Sequence, residues 1–166
     1  MADLKKYYWG SNMWIGLVNG EPKKIAAIEY HYKLARKGQS EIYTSTIAYV
    51  EVFRLLSEEQ LTKPLPQDGL DIIQETIEQD FVMLVPVDME IGRNARKLRR
   101  QLKDFRGAAD AVHLASALRW GVDALFTYDK AHLIAQNGLL SDHFGRTLLI
   151  CEPEDPPKLP LFAALT

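Results

Sequence analysis

The alternation of short apolar runs with longer segments of helical spacing constrains this chain most. Five runs read as strands: Tyr7 to Trp9, Glu41 to Thr44, Val82 to Val85 (stopped by Pro86), Ala124 to Thr127, and Leu148 to Cys151. Between them, apolar residues recur at helical intervals. Glu21 to Lys37 carries Ile25, Ile28, Tyr32 and Ala35; Asp68 to Gln79 carries Leu70, Ile73 and Ile77; Asp88 to Leu102 carries Ile91, Ala95, Leu98 and Leu102. Thr46 to Leu56 is mostly apolar, and Ala108 to Trp120 ends before Gly121, a residue suited to a helix C-cap. Strands alternating with helices predict a parallel sheet covered on both faces. Ligand sites in such folds lie outside the carboxyl ends of the strands, so the residues just after each strand matter most.

The 166 residues suit one domain, and no internal repeat is visible. The domain is expected over residues 1–151, followed by a proline-rich tail over 152–166. Four of the eight prolines fall between Glu152 and Pro160, which excludes helix or central strand there. Leu161, Phe162 and Leu165 could anchor that tail to the body or to a second chain. A net charge of -2 gives no global polyelectrolyte signal for nucleic acid. Cys151 is the only cysteine, which excludes an internal disulfide and a thiolate zinc site. It fits a reducing compartment. Met1 to Lys6 is polar with no signal-type apolar run after it, and the most apolar stretch, Phe81 to Val87, is too short to span a bilayer. The expectation is a cytoplasmic protein with no membrane partner.

Three acids stand out. Glu51 lies in the otherwise apolar Ser45-Thr-Ile-Ala-Tyr-Val-Glu-Val, after the second strand. Its structural alternative is an ion pair with Arg54. Asp110 falls in the first turn of a helix, in Gly107-Ala-Ala-Asp-Ala-Val-His-Leu-Ala-Ser-Ala, where an acid also favours the helix dipole. Asp129 closes the fourth strand in Leu125-Phe-Thr-Tyr-Asp-Lys-Ala-His, where an N-cap is the simpler role. On the assumed fold all three approach the carboxyl edge of the sheet. Acids gathered there repel one another, and an oxygen-seeking divalent cation is the usual compensation.

These motifs resemble those of PIN domains, the nuclease toxins of VapBC-type pairs among them. Tyr8-Trp-Gly-Ser-Asn-Met-Trp-Ile matches the end of the first strand, where the family has Asp-Thr-Asn or Asp-Ser-Asn. Glu51, Asp110-Ala-Val-His-Leu-Ala-Ser-Ala and Thr127-Tyr-Asp129 follow in the family's order, so the resemblance runs over about residues 5 to 151. It implies a three-layer α/β/α sandwich with a central parallel sheet of about five strands. It implies hydrolysis of RNA phosphodiester bonds with Mg²⁺ or Mn²⁺, leaving 5′-phosphate and 3′-hydroxyl ends. Carried over, Glu51, Asp110 and Asp129 form the catalytic metal site. Asn12 is a polar neighbour orienting it, and Ser11 and Thr127 support the loops. The resemblance also implies a small antitoxin partner lying across the toxin, and a homodimer.

The departure is Gly10, where the family has an aspartate as direct metal ligand. Asp3 precedes the strand and is no substitute. The chain as written is therefore expected to be an inactive or impaired nuclease. An inactivating change in a toxic enzyme and a degenerate branch that lost its chemistry both give such a sequence; the intactness of the other motifs favours the first. A degenerate PIN domain acting as a non-catalytic RNA- or protein-binding module is the alternative function. A nucleotide-binding α/β domain is a weaker rival, because Gly10-Ser-Asn-Met-Trp is not a glycine-rich phosphate loop.

Arg93, Arg96, Lys97, Arg99, Arg100, Lys103 and Arg106 crowd one segment, opposed only by Asp104. They are candidates for the phosphate backbone of RNA beside the acidic site, against the alternative of a solvated helix face. His113 and His132 are not needed for the mechanism, and His113 is expected to be packed or hydrogen bonded. Trp9, Met13, Trp14, Tyr49 and Phe53 read as core or an apolar groove. Exposed apolar residues on the first helices are the expected place for a partner.

Overall fold

The computed structural model describes residues 4–158. Asp3, Leu161, Phe162 and Leu165 lie outside the described residues. Five strands, β1 (Lys5–Trp9), β2 (Ser40–Ser45), β3 (Val82–Val85), β4 (Ala124–Phe126) and β5 (Leu149–Cys151), form one sheet in the order β3-β2-β1-β4-β5. Every pairing is parallel, with Tyr7 opposite Ile42 on one side and Ala124 on the other. All five expected strands are present, with ends shifted by one or two residues.

Six α-helices cover the sheet: α1 (Ser11–Asn19), α2 (Ile25–Arg36), α3 (Ala48–Glu51), α4 (Gln67–Ile77), α5 (Met89–Gln101) and α6 (Ala108–Trp120). The period-2 alternation of the strands divides the core between two faces. Tyr8, Tyr43 and Leu125 pack with Ile91, Ala95 and Leu98 of α5 and Leu114 of α6. Trp9, Ile42, Ala124 and Phe126 point the other way, onto Met13 and Trp14 of α1, Ile28 of α2 and Ile73 and Ile77 of α4. This is the three-layer α/β/α sandwich.

Two helices differ from the sequence expectation. The apolar segment 46–56 gives only one short helix, because Val52 leaves helical geometry (φ -96°, ψ 71°) and the chain continues as loop to a 3-10 turn at Leu56–Glu58. In contrast, α1 has no separate sequence signal: Gly10 and Gly20 bracket it, and Met13, Trp14 and Gly16 are buried on it. Gly20 and Gly121 close α1 and α6 in the left-handed region, as expected for Gly121. Of the tail, residues 152–158 have no regular structure; Pro153 is buried and the Glu154 carbonyl lies 3.2 Å from His31 Nε2. No helix among the described residues is long and apolar enough to cross a membrane.

Candidate metal centre and its surroundings

β1 is the strand at which the chain order reverses, with β2 and β3 on one side and β4 and β5 on the other. A crevice opens at the carboxyl ends of such neighbours. Gly10 ends β1 there, its N–H donating to the Phe126 carbonyl at 3.2 Å, and Thr127 to His132 leave β4 beside it. Glu51 arrives at the end of α3 and Asp110 in the first turn of α6.

One donor atom each of Asp110, Asp129 and His132 lies within 4.8 Å of the other two. Asp129 is held by a local turn: its Oδ1 accepts the His132 N–H at 2.9 Å, its own N–H donates to Thr127 Oγ1 at 3.1 Å, and its Oδ2 lies 3.2 Å from His132 Nδ1. Burial, and then the Asp129 charge, push the Asp110 carboxyl above its ordinary range. Gly107 makes room for that carboxylate, since a Cβ at 107 would lie 2.1 Å from Asp110 Oδ2.

Glu51 shares a cleft of about 350 Å³ with Ser11, Asn12, Asp110 and His113, but its carboxylate is engaged. Ser11 Oγ donates to Glu51 Oε2, and His113 Nε2 lies 2.7 Å from the same oxygen. His113 is buried, and its Nδ1 is 2.8 Å from the Tyr8 hydroxyl, which in turn accepts the Ser45 N–H at 3.0 Å. The Glu51 carboxylate only accepts, so Nε2–H faces it, and the neutral ring then takes the Tyr8 hydroxyl proton at Nδ1. Burial raises the Glu51 carboxyl, but the bonds from His113 and Ser11 outweigh it and hold it below its ordinary range. The alternative weighed for Glu51, an ion pair with Arg54, does not form. The helix ends at Glu51, and Arg54 instead lies over the Phe53 ring at 5.5 Å.

Asn12 and Thr127 clasp the two loops. Asn12 Nδ2 donates to Thr127 Oγ1 at 2.8 Å, and Asn12 Oδ1 accepts the Tyr128 N–H at 3.2 Å. Gly10 itself has extended backbone angles (φ -72°, ψ 165°) that any residue adopts. A Cβ there would meet nothing nearer than 3.7 Å. The missing side chain is thus a chemical gap and not a conformational need.

All seven basic residues from Arg93 to Arg106 are exposed, and none forms an ion pair among the described residues. The Gln101–Phe105 end of that segment, Lys103 and Asp104 included, shares a groove of about 480 Å³ with His132. A larger cleft, about 590 Å³ between α5, α6 and residues 140–143, lies away from the acids. Among the described residues the exposed large apolar side chains do not sit on α1 or α2; Phe53 and Leu56 line a groove with Glu51, and exposed Val50 precedes Glu51 in the chain.

The PIN-domain family model matches residues 7–136. The chain belongs to the PIN-domain family. No curated protein matches it significantly. Among solved structures, this PIN domain is similar to VapBC2 from Rickettsia felis bound to a DNA fragment from its promoter. That likeness has a TM-score of 0.58 and 18% identity, over 87% of this chain and 98% of the other. It is also similar to Mycobacterium tuberculosis VapC20, a sarcin-ricin-loop-cleaving toxin, with a TM-score of 0.57 and 14% identity over 75% and 91% of the two chains. At these identities the likeness speaks for the fold.

His113 is packed and hydrogen bonded, as its sequence context suggested. His132, set aside in the sequence, stands in the same group as Asp110 and Asp129; it follows Asp129 by three positions, a spacing visible in the sequence, but only the closure of the turn brings the ring to the acids.

Proposed function

We propose that this PIN domain is the frame of a divalent-metal-dependent endoribonuclease, the toxin of a toxin–antitoxin pair, impaired as written because Gly10 supplies no carboxylate. One observation carries this: ligand atoms of Asp110 and Asp129 converge within 4.8 Å, beside the β4 exit where Gly10 packs on Thr127, two residues before Asp129. The donor set fits a divalent ion. The two acids come close enough to raise the Asp110 carboxyl, a repulsion that a cation relieves.

Asp110 and Asp129 would hold Mg²⁺ or Mn²⁺, with Glu51 facing the ion from the far wall of the cleft. The ion supplies an acidified water and neutralises charge on the scissile phosphate. Glu51, kept ionised by Ser11 and His113, would add a fixed negative charge to the cleft wall and could accept a hydrogen bond from the ion's water. Asn12 and Thr127 keep the Asp129 loop in register with β1. Arg99, Arg100, Lys103 and Arg106, with Arg93, Arg96 and Lys97 further along, would hold flanking phosphates. The R. felis neighbour is a toxin–antitoxin assembly and the M. tuberculosis one an RNA-cleaving toxin; both support the same reading here. An antitoxin segment would cover Val50, Phe53 and Leu56 beside Glu51, and a homodimer and a cytoplasmic setting accompany the reading.

Gly10→Asp restores the missing ligand in a space that accepts it, and cleavage of RNA by that form with Mn²⁺ tests the proposal. Gly10 favours one other reading, a non-catalytic RNA- or protein-binding module. That module would bind RNA yet leave it intact in both forms.

A further inference from the structure

The centre has lost an oxygen ligand at position 10, yet it has a nitrogen close by. His132 Nδ1 pairs with Asp129 Oδ2 at 3.2 Å; once the shared proton is displaced, the two atoms stand at roughly the spacing of adjacent ligands on one ion at about 2.1 Å each. The imidazole and both carboxylates fall within the same 4.8 Å group, whereas Glu51 does not. The turn from Asp129 to His132 fixes this arrangement before any ion arrives, because the His132 N–H is anchored on Asp129 Oδ1. The His132 side chain is 55% exposed and Asp129's 25%, so the ring can turn toward an ion without disturbing the core.

Resting on the metal-centre reading above, we propose that His132 is a direct metal ligand in this chain, and that it makes the centre selective for borderline transition ions (Mn²⁺, Co²⁺, Zn²⁺) over Mg²⁺. Two carboxylates and one imidazole are a mixed oxygen–nitrogen set. Imidazole suits Zn²⁺ and its neighbours, whereas Mg²⁺ demands oxygen and a near-ideal octahedron. With Glu51 engaged by Ser11 and His113, the set offers Mg²⁺ only two ready carboxylates.

The test measures metal binding by the full chain and needs no cleavage. Co²⁺ is titrated by visible absorption and by proton NMR, and Mn²⁺, Zn²⁺ and Mg²⁺ by calorimetry. The chain is compared with His132→Ala and Asp110→Asn, each checked for a cooperative melt. The expected result is a hyperfine-shifted imidazole signal in the unaltered chain, and Co²⁺ and Zn²⁺ affinities at least about 10-fold lower in His132→Ala. Mg²⁺ affinity should change less than about twofold. If His132→Ala binds Co²⁺ like the unaltered chain while Asp110→Asn does not, His132 only closes its turn and the inference fails, with the acidic centre intact. If Asp110→Asn also binds Co²⁺ unchanged, the acidic centre itself is wrong and both readings fall. His113 lies in the same cleft, so His113→Gln is run beside the others: a shifted imidazole signal that persists in it belongs to His132 even if His132→Ala folds poorly, and one that disappears overturns the inference.

Discussion

Replacing Asp110 by asparagine keeps the shape of the side chain and removes one charge from a crowded pair. At 4.8 Å, the outer limit of the Asp110–Asp129 ligand-atom separation, two unit charges repel by about 0.9 kcal/mol in water-like surroundings and about 3.5 kcal/mol at an effective dielectric of 20. Both carboxylates are partly buried, which puts the repulsion near 2 kcal/mol. Asp110 also favours the N-terminal dipole of α6, and losing that costs about 0.5 kcal/mol. The metal-free variant should therefore be more stable by about 1–1.5 kcal/mol, which for a chain of this size raises Tm by about 2–5 °C. The pH dependence has a definite sign. Burial and the Asp129 charge raise the folded-state pKa above 3.8, so the penalty is absent below that value and grows as pH rises through the raised one. The advantage of the variant should appear at pH 7 and vanish in acid. The assay is thermal melting by circular dichroism at low salt, first with EDTA and then with Mn²⁺. An ion at 100 times its Kd should stabilise the unaltered chain by about 2.7 kcal/mol and leave the variant nearly unmoved. A variant that melts lower than the unaltered chain in EDTA would show Asp110 to be a structural cap, and the crowding argument would be refuted.

Other perturbations probe the supports of the centre. Gly107→Ala should displace the Asp110 carboxylate, the flexible group a Cβ would meet, and weaken Mn²⁺ binding about 10-fold while moving Tm by under about 2 °C; calorimetry and melting read the two effects separately. Tyr8→Phe strips the hydroxyl that serves both His113 and the Ser45 N–H, leaving buried groups unpaired, and should cost about 1–3 kcal/mol in urea unfolding. Glu51 has a depressed folded pKa, so its stabilising contribution is present above its unfolded value of 4.5 and lost as pH falls through the folded one; Glu51→Gln should flatten the acid limb of the stability profile. Reversing Arg99, Arg100 and Lys103 to Glu together should weaken RNA binding and reduce the salt slope measured by fluorescence anisotropy, while an equal slope would assign that helix face to solvent.

Much of the architecture was legible because burial leaves a period in the sequence. Strands covered by helices on both faces are apolar at successive positions, and Tyr8 and Trp9, like Ile42 and Tyr43, feed opposite halves of the core. Helix α1 was less legible because both its faces are apolar and it follows β1 without a break. Glu51 was found as an odd carboxylate among apolar neighbours, but its partner His113 was not legible. Arg54 is near in sequence, whereas His113 is brought by another helix after a separation of 62 positions. The role of His132 depends on how the Asp129 turn closes, and turn geometry at a loop of this kind is set by local hydrogen bonds more than by residue type.

The central claim is that one missing carboxylate separates this chain from a working nuclease. The direct measurement is cleavage of total RNA and of a randomised single-stranded oligonucleotide by the chain as written, by Gly10→Asp, and by Gly10→Asp with Glu51→Gln. Each is run with Mg²⁺, Mn²⁺ and EDTA. Metal-dependent cutting is expected from Gly10→Asp alone, abolished by EDTA and by the added Glu51→Gln. A folded, metal-binding Gly10→Asp form that leaves every RNA intact would contradict it and favour a binding module, and cutting that survives Glu51→Gln would overturn the assignment of the site.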